Sequence, residues 1–129
     1  MTGLPFGTTE QAWTSVPTAA AQARRVVADQ ARTMGVSEDA CDVAVLLTSE
    51  VVTNGLLHGE GRVTLRTLAL PESGLRVEVD DDGTGQPAVK AQQLDAEHGR
   101  GMAMVEMLAT RWGCLPRVGG KTVWFEVVP

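Results

Sequence analysis

Apolar and polar residues along the chain follow two periods, one typical of helices and one typical of strands. An unbroken Ala-rich stretch predicts a first helix over residues 17–33, with Gly35 just beyond its end. A second helix is predicted over residues 37–58, because the hydroxyl of Ser37 can cap it and glycines follow it. Helical spacing returns over residues 101–110 and predicts a third helix.

Alternation of apolar and polar residues predicts two hairpins, of which the second is apolar enough to lie centrally in a sheet. Their four strands are residues 62–70, 75–80, 112–117 and 122–128. The first 16 residues predict a loose arm over residues 1–8 and one early edge strand. This order of elements predicts an α+β two-layer sandwich, with three helices on one face of a mixed, mostly antiparallel sheet.

Composition limits the class of protein. With 129 residues and 43% hydrophobic content, the chain is expected to form a single domain over residues 1–129. A net charge of −5 argues against nucleic acid as a partner. Two distant cysteines, Cys41 and Cys114, are expected to be reduced. No signal peptide or membrane-spanning run of about eighteen apolar residues is recognised, so a cytoplasmic protein without membrane contact is expected.

The second predicted helix carries polar residues on the side that its aliphatic residues assign to the core. Five aliphatic residues share one arc: Val43, Leu46, Leu47, Val51 and Leu57. Glu50 and Asn54 fall in the middle of this arc, where burial without partners is costly. They either cap loops or bond to each other, or they line a cleft for hydrated Mg²⁺, which prefers oxygen ligands. His58, one turn further on, is either a dipole-favoured helix-end histidine or a ligand contact.

Glycine-containing segments follow two of the predicted elements. The run Asp81-Asp82-Gly83-Thr84-Gly85 ends a strand and either binds a ligand or forms a simple Asp-Gly turn. The run Gly99-Arg100-Gly101 precedes the third helix, whose free N–H groups would favour phosphate, or it is merely a flexible helix start. Gly120-Lys121-Thr122 mimics the end of a P-loop, but a strand pattern follows where a helix is required.

Together, these segments resemble the GHKL ATPase superfamily in order and spacing. The matching motifs are Glu50-x-x-x-Asn54-x-x-x-His58-Gly59, Asp81-x-Gly83-x-Gly85, Gly99-Arg100-Gly101-Met102 and Gly120-Lys121-Thr122-Val123-Trp124-Phe125. Each motif is weak alone, whereas four in this order are specific. The compact length and the run Ser49-Glu50-Val51-Val52-Thr53-Asn54 further resemble the anti-sigma factor serine/threonine kinases. The implied fold is the Bergerat, or histidine kinase-like ATPase, fold.

The resemblance implies that the chain binds ATP and Mg²⁺. Asn54 would ligate Mg²⁺, Glu50 would be the base for the incoming hydroxyl, and Asp81 would accept a hydrogen bond from the adenine amino group. Gly83 and Gly85 would let the backbone pass under the base. The other implied cofactor contacts are His58, Gly99, Arg100, Gly101, Met102 and Thr122. Of these, residues 99–101 would hold the phosphates, Thr122 would join the pocket of Asp81, and residues 86–98 would form a mobile lid.

Two features of the sequence modify this assignment, a run of three acids and a glycine. Asp80, Asp81 and Asp82 leave the adenine-binding acid ambiguous by one residue, and the x-Gly-x-Gly spacing selects Asp81, while strand alternation should turn the other two away. Gly55, where the family often has Ala, loosens the helix beside the metal ligand by about 1 kcal/mol.

The implied function is that of a regulator that sequesters a sigma factor and phosphorylates a serine or threonine on an anti-anti-sigma, STAS-type partner. Glu50 favours this kinase over a non-catalytic ATP/ADP-binding switch, since a pure binder needs no carboxylate there. A third alternative is the ATPase domain of a two-component sensor histidine kinase, which is disfavoured because no phosphoacceptor His segment is recognised upstream. The resemblance and the apolar early strand favour a homodimer.

Overall fold

The computed structural model of the chain describes residues 9–13, 16–58, 62–82 and 96–129. Within these ranges the elements are β1 (Thr9–Trp13), α1 (Val16–Thr33), α2 (Glu38–His58), β2 (Val63–Ala69), β3 (Leu75–Asp81), α3 (Ala96–Leu108), β4 (Arg111–Arg117) and β5 (Gly120–Val127). The described strands form one sheet in the order β1-β2-β3-β5-β4, with every neighbouring pair antiparallel. The three helices pack on this sheet, which confirms the predicted α+β sandwich.

The helix layer places α2 at the centre of the domain. α1 packs on β1 and β2, α3 packs on β4, and α2 lies between these two helices above β3. The two edge strands of the sheet are β1 and β4. β1 is the early edge strand that the sequence predicts. The closing hairpin, which was expected to lie centrally, does so only in part. Of its two strands, β5 is flanked by strands on both sides and β4 is an edge strand.

Local signals in the sequence account for the ends of the first two helices. α1 is followed by Gly35 at φ 76°, and the Val36 N–H donates to the Ala31 carbonyl at 2.9 Å, as in a Schellman ending. α2 begins after Ser37, whose Oγ accepts a hydrogen bond from the Ala40 N–H at 3.2 Å. Both ends agree with the prediction.

The inward face of α2 differs from the prediction. Its most buried residues are Ala40, Cys41, Ala44, Leu47, Thr48, Val51, Val52 and Gly55. Leu46 and Leu57, expected in the core, are 40% and 45% exposed. Glu50 and Asn54 consequently lie at the edge of the buried arc and are half-buried. Aliphatic residues occur on almost every side of this helix, so their pattern alone does not identify the buried face. That face is the one whose small residues allow close packing on the sheet.

By length and composition, part of α2 would also suffice to cross a membrane. Residues 38–57 have a mean hydropathy of 1.4, so the expectation that no segment is apolar enough is too strict. In this fold the helix packs between α1, α3 and the sheet, as the core helix of a folded domain does.

α3 begins earlier than predicted. It starts at Ala96 instead of Gly101, because alanine and glutamate are good helix formers and an acid is favoured in the first turn. Its core contacts are made by Met102 and Val105, whereas Met107, expected to face inward, is 75% exposed. The whole helix is therefore rotated relative to the predicted arc.

Ion pairs cover the sheet face that the described helices leave open. Arg66 donates to both oxygens of Asp80, at 2.8 and 2.9 Å, and so ties β2 to β3. Arg76 and Arg111 donate to the two oxygens of Glu126, at 2.9 and 2.6 Å, and tie β3 and β4 to β5. These bonds join strands across the sheet, and those between Arg66 and Asp80 support the end of β3.

Two carboxyl groups in this network have lowered pKa values. Burial raises the pKa of Asp80, but hydrogen bonds from Arg66 and Thr122 outweigh it and lower the pKa below its ordinary value. Burial likewise raises the pKa of Glu126, and the hydrogen bonds and charges of its two arginine partners lower it more. Both groups are therefore harder to protonate in the folded chain than in the unfolded chain.

We expect acidification to destabilise the fold through these groups. Because the folded pKa values are depressed, the unfolded chain binds more protons as the pH falls, so this stabilisation is complete at neutral pH and lost below about pH 5. In Asp80→Asn, the free energy of unfolding should depend less steeply on pH between about pH 5 and about pH 2. Urea denaturation at a series of pH values measures this, and equal slopes for variant and wild type would contradict it.

Candidate functional site

Two neighbours of α2 define the orientation of its C-terminal half. Gly55 faces the sheet, since a Cβ built on it would lie 3.4 Å from the Asp81 Cβ and 3.1 Å from Val63 Cγ2. Ser49 faces α1, because its Oγ accepts a hydrogen bond from Arg24 Nη1 at 2.8 Å. Around the helix axis, Ser49 lies on one side of Gly55. The side about 100° from Gly55 in the other direction faces α3.

Glu50 and Asn54 lie on this α3-facing side, one helical turn apart. Both side chains are half-buried, and within the described ranges neither one makes a hydrogen bond or an ion pair. Bonding between the two, the first interpretation considered, is therefore not observed there. His58 ends α2, and its side chain lies outside what the structure describes. On this side of α2, a carboxylate and an amide therefore have no hydrogen-bond partner among the described residues.

Asp81, the last residue of β3, turns toward the helix layer. It is 2% exposed and lies beneath Gly55 of α2. Its neighbours turn the other way, as strand alternation predicts: Asp80 binds Arg66 on the open face, and Asp82 is exposed. Of the three consecutive acids, Asp81 is therefore the one that faces the helix layer. Gly83 and Gly85 lie outside the described residues.

Lys121 is a site neighbour that sequence reasoning missed. It stands directly opposite Asp81 in the β3–β5 register, and its Nζ lies 2.9 Å from Asp81 Oδ1. The two side chains are 7% and 3% exposed. The available signal was alternation: Lys121 occupies the first inward position of a strand whose next inward residues, Val123 and Phe125, are core.

The β4–β5 hairpin also holds the backbone of Asp81. Arg117 Nη2 donates to the Asp81 carbonyl oxygen at 2.9 Å. A Cβ built on Gly120 would overlap that same oxygen, so the two strands approach as closely as glycine permits. One hairpin therefore contacts both the side chain and the main chain of this aspartate.

Thr122 does not join the pocket of Asp81, contrary to expectation. Its hydroxyl donates to Asp80 Oδ1 at 2.5 Å, on the open face of the sheet. Successive residues of a strand point to opposite faces, so the inward Lys121 and the outward Thr122 cannot share a side.

The glycine segment of α3 also differs from its expected position. Gly99, Arg100 and Gly101 lie inside the helix, so the free N–H groups at its start belong to the preceding turn. Met102, expected at the cofactor, is 1% exposed within the hydrophobic core. Only residues 109–110 separate α3 from β4, so the helix runs back along that strand and begins at the Asp81 end of the sheet.

A match between the sequence and one protein family identifies the family of this chain. The histidine kinase-like ATPase domain family matches residues 13–126, nearly the whole chain. The chain belongs to this family. The resemblance to GHKL ATPases is thereby confirmed. A search of curated proteins finds no match.

Two solved structures share the fold of this chain. The structure of the RsbU and RsbW domains of Rv1364c from Mycobacterium tuberculosis is 20% identical, with TM-score 0.65 over 93% of this chain and 32% of that one. The blue-light activated histidine kinase EL346 of Erythrobacter litoralis is 22% identical, with TM-score 0.55 over 80% and 39%. At this identity the likeness shows the fold alone, and the chain spans about a third of the length of the first structure.

The donor set of this ATPase domain fits a cation that needs few protein ligands. Among the described residues, no three His, Cys, Asp or Glu side chains cluster as a metal site. Asn54 and Glu50 are half-buried, and their oxygens have no partner in the described part of the chain. Mg²⁺ suits such a site, since it keeps several waters and accepts phosphate oxygens as its other ligands.

Both cysteines of the domain are free, in agreement with the expectation of reduced thiols. Burial raises the pKa of Cys41 and of Cys114 above the ordinary value, more than nearby cations lower it. Neither thiol is therefore activated as a nucleophile.

Proposed function

We propose that this histidine kinase-like ATPase domain is an ATP-binding regulator of the anti-sigma factor type, which phosphorylates a serine or threonine of a partner. The observation that carries the proposal is the buried Asp81 beneath Gly55, together with the oxygens of Glu50 and Asn54, which have no hydrogen-bond partner among the described residues. A half-buried carboxylate and a half-buried amide close to a buried acid form a site that can accept polar ligands.

In this proposal each residue has a distinct role. Asp81 accepts a hydrogen bond from the adenine amino group, and Asn54 holds Mg²⁺ through its carbonyl oxygen. Mg²⁺, when bound, neutralises charge on the phosphates. The phosphates lie at the start of α3, in the turn before Gly99–Gly101, where free N–H groups favour anions. Glu50 accepts the proton of the incoming serine or threonine hydroxyl, whose oxygen bonds to the γ-phosphorus as ADP leaves.

The class of partner is supported by the similar structure that contains an RsbW domain. Together with the motif run that ends at Asn54, it favours a sigma factor and a STAS-type anti-anti-sigma protein as partners, a cytoplasmic location and a homodimer. The similar structures from histidine kinases support the second candidate, an ATPase domain of a sensor kinase. A phosphorylated serine or threonine in the partner, rather than histidine, distinguishes the first candidate.

Calorimetric titration with ATP tests the base site. We expect Asp81→Asn to lower the affinity for ATP by about tenfold or more, because the variant replaces a charged acceptor in a buried site. Asp80→Asn is a matched control: it changes the preceding residue of the same strand, which faces the opposite side. It should change the affinity less than about twofold. Equal losses in both variants would show that the effect comes from the fold.

Omitting Mg²⁺ from the same titration tests Asn54. With Mg²⁺ present, Asn54→Ala should bind ATP more weakly than the wild type, and with excess EDTA the two should bind alike. A loss that persists in EDTA would remove Asn54 from the metal site. Wild-type protein that binds no nucleotide under either condition would overturn the proposed function.

A further inference from the structure

The buried pair of Lys121 and Asp81 needs an explanation beyond stability. Lysine is almost never fully buried unless paired, and desolvating two charges offsets most of their attraction. An apolar pair of similar volume would hold β3 to β5 at least as well, since the inward residues that follow are Val79 opposite Val123 and Val77 opposite Phe125. The ion pair stands only at the end of these strands where the proposed nucleotide site lies.

We propose that Lys121 is a positioning residue for recognition of the nucleobase. It holds Asp81 Oδ1 at 2.9 Å, while Oδ2 of the same carboxylate lies on the side of Gly55, 3.5 Å from where a Cβ of that glycine would stand. The ammonium thus fixes the rotation of the carboxylate and its second oxygen faces α2. The inference rests on the proposed function, because it assigns the base to Asp81.

The backbone contacts support a positioning role for the whole β4–β5 hairpin. Arg117 binds the carbonyl of Asp81, and Gly120 packs directly against it. Main chain and side chain of the aspartate are therefore both held by neighbours on one hairpin. Because the carboxylate of Asp81 is already held in place, a hydrogen bond to it is directional and costs little additional conformational entropy on binding.

Removing the ammonium should weaken the binding of the base itself. In Lys121→Met the buried carboxylate loses the nearby charge of Lys121 and turns toward water, so its acceptor oxygen leaves the base position. We expect the affinities for adenosine and for ATP to fall by the same factor, about tenfold or more. A lysine that instead touched the phosphates would lower the affinity for ATP and leave that for adenosine unchanged, which would overturn the proposal.

A double-mutant cycle shows whether Lys121 acts through Asp81. If it does, Asp81→Asn/Lys121→Met should bind adenosine as weakly as Asp81→Asn alone, whereas additive losses would contradict the proposal. This double variant also removes both charges of the pair together, so it keeps the cycle measurable if Lys121→Met folds poorly. Lys121→Arg, which keeps the charge, should recover part of the affinity.

Arg66→Met serves as the matched control for stability. It removes the partner of Asp80 on the open face of the same strands and should lower the unfolding temperature without changing either affinity. Titrations are made on samples that circular dichroism shows to be folded. If Asp81→Asn loses adenosine but folded Lys121→Met binds it normally, this inference fails and the proposed function stands. If the wild type binds neither ligand, the proposed function itself fails.

Discussion

Gly120→Ala should destabilise the domain by about 3 kcal/mol or more. The added methyl group would overlap the carbonyl oxygen of Asp81 and approach the Asp82 Cα within 3.0 Å. Both are backbone atoms, one in the last residue of β3 and one in the residue after it, so no side-chain rotation can relieve the contact and the strands must separate. Separation would also stretch the hydrogen bond from Arg117 to Asp81. Urea denaturation followed by circular dichroism measures the loss.

The preceding glycine provides the control. Gly119 has φ 80°, and no atom lies within 4 Å of a Cβ built on it. Gly119→Ala should therefore cost only about 1 kcal/mol, the strain of a left-handed alanine. If Gly119→Ala were as damaging as Gly120→Ala, the close approach of β5 to β3 would not be the reason that position 120 holds glycine.

The architecture could be predicted because most of its elements carry local signals. Ser37 and Gly35 mark helix ends, and alternation marks the β2–β3 hairpin. α3 was predicted too short because Gly99 and Gly101 are poor helix formers, although the turn before them is helical. Tertiary packing of Met102 and Val105, which intrinsic propensity does not include, accompanies the longer helix.

The direction of a site residue's side chain could be predicted only where the residue lies in a clearly recognised strand, because successive side chains of a strand alternate between the two faces of the sheet. Counting along β3 separates the inward Asp81 from its outward neighbours, and the structure agrees. The same counting along β5 would have turned Lys121 inward and Thr122 outward, but the assignment of Thr122 came from the resemblance alone. Motif spacing identifies which positions matter, whereas the face of each side chain depends on the register of neighbouring strands.

The orientation of α2 could not be derived from its own residues. Aliphatic side chains occur on nearly every side of this helix, so the helical pattern did not separate its buried and exposed faces. Only the small residues, Ala44 and Gly55, allow the close approach to the sheet. Glu50 and Asn54 are thereby placed at the edge of the core, where a ligand can reach them.

This position of Glu50 leads to the largest functional effect that we expect. Glu50→Gln should reduce phosphoryl transfer to a serine or threonine of the partner by about 10²- to 10⁴-fold, because the amide cannot accept the hydroxyl proton. Its affinity for ATP should stay within about threefold, since the amide is isosteric with the carboxylate and carries no assigned contact with the base. Labelled ATP with candidate STAS-type proteins measures transfer, and calorimetry measures affinity.

Glu106→Gln is the control, because it removes an exposed carboxylate from α3 and should change neither quantity. Transfer that persists in Glu50→Gln would exclude Glu50 as the base. Wild-type protein that binds ATP, changes its affinity for a partner on doing so and transfers no phosphate would be a nucleotide-controlled switch instead. In that case no step requires a base, and the isosteric variant Glu50→Gln should leave the coupling between ATP and partner intact.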